Sequence, residues 1–134
     1  MATIPETCSK CGHRSSATVS ERVFDGRLHY SHSFRCPACK GGAFEGCGKD
    51  ESPAYIREPI LAQEGKWQIT VVRATDVVQL AAALHKRLKI DRRTAVAAAK
   101  RIPGVISTGT RAEVECLGQG LPAGTDYEIS RSDS

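Results

Sequence analysis

The chain has 134 residues, 40% of them hydrophobic and 25% charged, with a formal charge of +4 and a pI near 8.8. This composition excludes a disordered chain, and its mild basicity excludes a protein that coats nucleic acid by charge alone. Aromatic residues make up only 5%, and no segment reaches the roughly 18 apolar residues of a membrane span, so no membrane partner is expected.

The first residues, MATIPETCSKC, show no basic stretch followed by an apolar one, so no secretory leader is expected. The expected setting is the cytoplasm, where cysteines ligate metals more often than they form disulfides. Five of the six cysteines precede position 48.

Cys8 and Cys11 form one Cys-x-x-Cys pair, and Cys36 and Cys39 form a second after 24 intervening residues. Two residues between thiolates let both sulfurs reach one tetrahedral ion from a tight turn. Gly12, and Gly41 after Lys40, are small residues that let backbone amides turn toward the sulfurs. Between the pairs, SATVSERVF, the turn dipeptide Asp25-Gly26 and RLHYSHSF read as a β-hairpin. Leu28, Tyr30 and Phe34 fall on one side of its second arm.

Two knuckles joined by a hairpin resemble the zinc ribbon over about residues 6–48. The expected cofactor is therefore a structural Zn2+ held by Cys8, Cys11, Cys36 and Cys39. Four thiolates leave no open position for water, so the ion would staple the module rather than act as a Lewis acid. A small module with few large apolar residues needs such a staple. A redox dithiol is the rival reading, disfavoured because redox pairs of this kind sit singly in an α/β setting. Cys47 either replaces Cys39 as a ligand or is a bystander at the ribbon's edge, and the bystander reading is preferred. His13, His29 and His32 are expected on strands or in solvent rather than on the metal.

GGAFEGCGKDESPAY, residues 41–55, reads as a module exit, and 53–65 as a linker whose Pro53, Tyr55, Ile56 and Ile60 could dock on either side. From Trp67 the texture changes. WQITVVR predicts a strand, and Val77, Val78, Leu80, Ala81, Leu84 and Leu88 recur at helical spacing. DRRTAVAAAKRI predicts a second helix capped by Asp91 and stopped at Pro103-Gly104. GVIST, TRAEVECLGQG and TDYEIS then predict strand, helix and strand. The expected fold class is α+β: a zinc ribbon over 1–52, a linker over 53–65, and a β-α-α-β-α-β sandwich over 66–134.

WQITVV, AVAAAKRIPGVI, Gly109 before a helix, and DYEI together resemble the C-terminal domain of the bacterial ribosomal stalk protein, a fold shared with Clp protease adaptors. The likeness covers about residues 66–130 and implies a protein-docking module. The chain departs from the stalk pattern at KIDRR, where the stalk has a loop rich in glycine and leucine that docks translation factors. It also departs at Lys100-Arg101, where the stalk is acidic. The fold carries over in this reading and the ribosomal role does not.

Charge is unevenly spread. Lys86, Arg87, Lys89, Arg92, Arg93, Lys100 and Arg101 stand against Asp91 alone, and the chain turns acidic from Ile102 onward, through Asp133. Helix-end cations account for part of this, but Arg92 and Arg93 sit at a helix start, where the dipole opposes them. Lys86, Arg87, Lys89, Arg92 and Arg93 are therefore the expected contact for an acidic protein partner.

No serine elbow, phosphate loop, His-Glu-x-x-His pair or nucleotide fingerprint is present, so an enzyme is not expected. Glu113 and Glu115 are two apart, which separates them on a helix, and Cys116 between Val114 and Leu117 reads as a core thiol. The expected function is a zinc-stapled adaptor or inhibitor, in one version an immunity protein that neutralises a cytosolic toxin such as a nuclease. The alternative is a nucleic-acid-binding regulator. Against it, residues 1–52 carry seven Lys or Arg to six Asp or Glu, with only Phe24, Tyr30, Phe34 and Phe44 available for stacking.

Overall fold

The computed structural model describes residues 1–40 and 42–132, of which 42–45 by backbone alone. Among them are two antiparallel sheets and four helices, a mixed α+β chain that divides into compact units Met1–Gly65 and Lys66–Ser134. Among the described residues, no helix is long and apolar enough to cross a membrane.

The first unit is a four-stranded meander, β1 (Ala2–Thr7), β2 (Arg14–Phe24), β3 (Arg27–Arg35) and β4 (Gly42–Lys49), with each strand antiparallel to the next. The expected hairpin is β2–β3. Its turn places Asp25 at φ 54° and Gly26 at φ 70°, both left-handed, as the two-residue turn matching strand twist requires. In a meander the β1–β2 and β3–β4 connections fall at the same end. That topology brings the two cysteine turns together.

The stretch expected as a linker is instead a helix, α1 (Ala54–Glu64), and GGAFEGCGK supplies β4 rather than an irregular exit. Pro59 inside α1 removes one helical hydrogen bond, which is why the segment does not read as a helix locally. Burial overrides that loss. Ile56 and Ile60, one turn apart, pack with Ala2 and Val19 in an apolar cluster joined by Ile4 and Tyr30. Gln63 closes the outer edge of β1, accepting from Thr3 N at 3.0 Å and donating to Thr3 O at 2.6 Å. An edge covered in this way is not open to another strand.

The second unit runs β5 (Trp67–Ala74), α2 (Val77–Leu88), α3 (Arg92–Lys100), β6 (Gly104–Gly109), α4 (Arg111–Gln119) and β7 (Thr125–Arg131), with β5 central between β6 and β7. The three helices start at identifiable caps. Asp76 accepts from Val78 N and Gln79 N, and Asp91 from Thr94 N at 2.7 Å. Thr110 and Glu113 form a reciprocal capping box at α4. Ile69 and Val71 of β5 meet Leu80 and Leu84 of α2, Ala95 and Ala99 of α3, and Val114 and Leu117 of α4 in one core. The alanines let α3 approach closely, so a helix without large side chains still has a buried face.

Candidate metal centre

The four cysteines of the two turns converge. Cys8, Cys11, Cys36 and Cys39 place their sulfurs within 4.8 Å of one another. Two close separations run across the turns: Cys11 Sγ to Cys36 Sγ is 3.5 Å, and Cys8 Sγ to Cys39 Sγ is 3.8 Å. A tetrahedral ion with metal–sulfur bonds of about 2.3 Å holds its sulfurs about 3.8 Å apart, so the set fits one four-coordinate metal. Cys8 and Cys36 are buried, while Cys11 and Cys39 are exposed. The cluster is thus closed by protein on one side and reaches the surface on the other.

Both turns fold alike. Gly12 N donates to Cys8 O at 2.9 Å, and Lys40 N donates to Cys36 O at 3.0 Å. Gly12 has φ 75° and Lys40 φ 60°, so Lys40 itself takes the left-handed position held by Gly12 in the first turn. Gly41, expected from the sequence as the small residue that lets amides turn toward the sulfurs, lies outside the described residues.

Backbone dipoles and neighbouring sulfurs set the charge of the site. The Cys11 amide, followed by that of Lys10, draws the Cys8 thiol down to about 7. Cys36 is held below the ordinary thiol range first by the Cys39 amide and also by that of Ala38. At Cys11 the His13 amide favours the thiolate, but the Cys36 sulfur, burial, and the Cys8 and Cys39 sulfurs outweigh it and push Cys11 up to about 12. Without a cation the cluster stabilises its first thiolates and resists further ones. A divalent ion removes that repulsion, so the donor set matches a metal in charge as well as in distance.

The other candidates stand apart from the sulfurs. Cys47 is exposed on β4 opposite Ser31 and is not in the cluster. His13 is exposed. His29 Nε2 donates to Phe24 O at 3.3 Å. His32 is buried on the side of the sheet facing α1, with Nε2 2.9 Å from Glu6 Oε1 and its ring edge-on to Tyr55 at 5.5 Å. The Glu6–His32 pair has no counterpart in the sequence reading. The two residues are 26 positions apart and do not share a register row: Glu6 stands opposite Ser15 and His32 opposite Val19, so the side chains meet diagonally across β2.

Lys86, Arg87, Lys89, Arg92 and Arg93 are all exposed around the turn joining α2 to α3. They are not equivalent. Arg87 lies over Gly120, its guanidinium filling the space that an added Cβ there would take, so its charge sits at the C-terminal end of α4. Lys89 takes the left-handed C-cap of α2 at φ 56°. His85 Nδ1 donates to Ile90 O at 2.6 Å and fixes the turn. Asp91 is held below the usual carboxylate range first by the Thr94 side chain and amide, with His85 adding a smaller attraction.

In α4, Glu113 serves the capping box and Glu115 pairs with Arg111 at 2.8 Å. Cys116 is half-buried beside the core residues Val114 and Leu117. The Phe44 side chain and Asp133, both used in the sequence argument, lie outside the described residues. Comparison with protein-family models, with curated proteins and with solved structures finds no match.

Proposed function

We propose that the chain is a non-catalytic adaptor, its first unit a zinc ribbon stapled by Zn2+ on Cys8, Cys11, Cys36 and Cys39. The second unit docks a protein partner with an acidic surface. The observation that carries this reading is the α2–α3 turn, where Lys86, Arg92 and Arg93 are exposed and enter no ion pair among the described residues. Arg92 and Arg93 stand at the start of α3, where the helix dipole disfavours cations, so their placement suits an external anionic surface better than helix stability. Arg87 and Lys89, engaged within the unit, shape the corner and contribute less to docking.

Zinc is favoured because tetrahedral all-thiolate sites select zinc or iron, and a closed site of this kind is structural. The β-α-α-β-α-β order and the likeness to stalk and Clp-adaptor domains support protein docking, of which inhibition of a toxin is one version.

The test is capture from native lysate by the metal-loaded chain, wild type beside Arg92→Glu/Arg93→Glu, with and without nuclease. The expected result is a stoichiometric protein that survives nuclease and is lost with the double variant. Retention by the variant, or loss with nuclease, overturns docking through this corner.

A further inference from the structure

The near balance of charge in residues 1–52 conceals a separation made by the sheet. The face of β1–β4 toward α1 holds the apolar cluster, and the acidic strand residues Glu6 and Glu21 lie on it. Glu6 meets buried His32, and Glu21 accepts from Ser52 just before α1. Strand alternation sends Arg14 and Arg22 of β2, Arg27 and Arg35 of β3, and Lys49 of β4 to the opposite face. All five are exposed. No acidic strand side chain lies on that face among the described residues. Asp50, just past β4, is held by Arg27 at 3.0 and 3.1 Å, while Arg14, Arg22, Arg35 and Lys49 enter no ion pair among the described residues.

Between the cations runs a lane of hydroxyls. Ser20 and Ser31 meet across β2 and β3 with their oxygens 2.7 Å apart, and Thr18 stands opposite Ser33. From Arg22 to Arg14 the lane extends about 27 Å at the usual rise of a strand. At the hairpin end, Arg22, His29 and Lys49 form one cross-strand row. Next to it Phe24 is 64% exposed, with the His29 ring edge-on at 5.9 Å.

We propose that this face binds single-stranded nucleic acid, the cations and hydroxyls tracking the phosphodiester backbone and Phe24 stacking a base at the hairpin end. Arginine, lysine and hydroxyl side chains are the groups that contact phosphate and sugar. Exposed aromatics beside a basic track are how single strands are held without sequence readout. A four-stranded face is too broad for a duplex major groove, which admits a helix or a two-stranded ribbon. A protein partner would need apolar anchors at the centre of its interface, and the centre of this lane is Ser and Thr. The surface lies in the first unit and is independent of the α2–α3 corner, so an adaptor using both would hold a nucleic acid and a protein.

The test is fluorescence anisotropy of a labelled 16-nucleotide single strand, DNA and RNA in parallel, titrated with the metal-loaded full chain from 50 to 300 mM salt. Arg22→Glu/Lys49→Glu is expected to weaken binding at least tenfold and to flatten the salt slope by about 1.4, the value for two lost phosphate contacts. Phe24→Ala is expected to weaken binding about fivefold or more with the salt slope unchanged. Metal content and circular dichroism establish that each variant is folded. Absence of binding at 50 mM salt overturns the proposal. So does binding lost in Arg92→Glu/Arg93→Glu but kept in the face variants, which would put the anion site on the corner. A polyglutamate arm completes the set: equal competition by polyglutamate, with no effect of Phe24→Ala, overturns the nucleic-acid assignment in favour of an acidic protein.

Discussion

Cys11 Sγ lies 3.5 Å from Cys36 Sγ, across the two cysteine turns. The link joins the β1–β2 turn to the β3–β4 turn, so a metal there ties the first hairpin to the last at one end of the meander. The rest of the first unit offers a small apolar cluster of Ala2, Val19, Ile56 and Ile60, and a second of Ala17 and Phe34 beside Cys8 and Cys36. Cores of that size rarely suffice without a staple.

Metal removal should therefore unfold the first unit selectively. One metal ion per chain is expected by elemental analysis, lost in Cys36→Ser and retained in Cys47→Ser. A strong chelator should abolish hydrogen-exchange protection in β2 and β3 while leaving β5 protected. Protection of β2 that persists after complete metal loss would show that the fold does not depend on the staple.

The dependence on α1 is equally testable. Ile60 is 2% exposed and packs on the sheet. Ile60→Ala should cost about 2–5 kcal/mol through lost transfer energy and a residual cavity. That corresponds to a fall of about thirtyfold or more in exchange protection of β2, at 1.4 kcal/mol per factor of ten. Glu58→Ala, on the same helix but turned to solvent, should leave protection unchanged.

In the second unit Tyr127 closes over Gly118. A Cβ at position 118 would stand 2.6 Å from the ring, so the ring, though 38% exposed, would have to leave its contact with α4. Gly118→Ala should destabilise this unit by about 1–3 kcal/mol despite its better helix propensity. Trp67, the single tryptophan, lies in β5 and reports unfolding of this unit by fluorescence. An unchanged or raised midpoint in denaturant would contradict the packing argument.

Asp91 gives the second unit an acid-sensitive element. Its folded carboxyl titrates below the unfolded value of 3.8, chiefly through the hydrogen bonds of Thr94. A depressed carboxylate contributes stability that is present above the unfolded pKa and is lost as pH falls through the folded one. Thermal unfolding followed at Trp67 should therefore lose stability below about pH 4. In Asp91→Asn, which retains a capping oxygen without the titration, that part of the acid slope should be absent.

Much of this architecture is legible in the chain because its causes are local. Cys-x-x-Cys spacing, the Asp25-Gly26 turn, the Asp91 cap and the apolar period of α2 each act over a few residues, and each forms where the sequence indicates it. What the tertiary structure alone decided are the features set by register and burial. Helix α1 exists because Ile56 and Ile60 find Val19 and Ala2, 37 to 58 residues away, and that burial outweighs the bond broken at Pro59. Glu6 meets His32 because both lie on the α1 side of the sheet, where their side chains reach each other diagonally across β2. The cations of the first unit gather on one face because strand alternation sorts side chains by parity once α1 has chosen the other. A count of charges along the chain cannot see that choice, since it depends on which face of the sheet the helix covers.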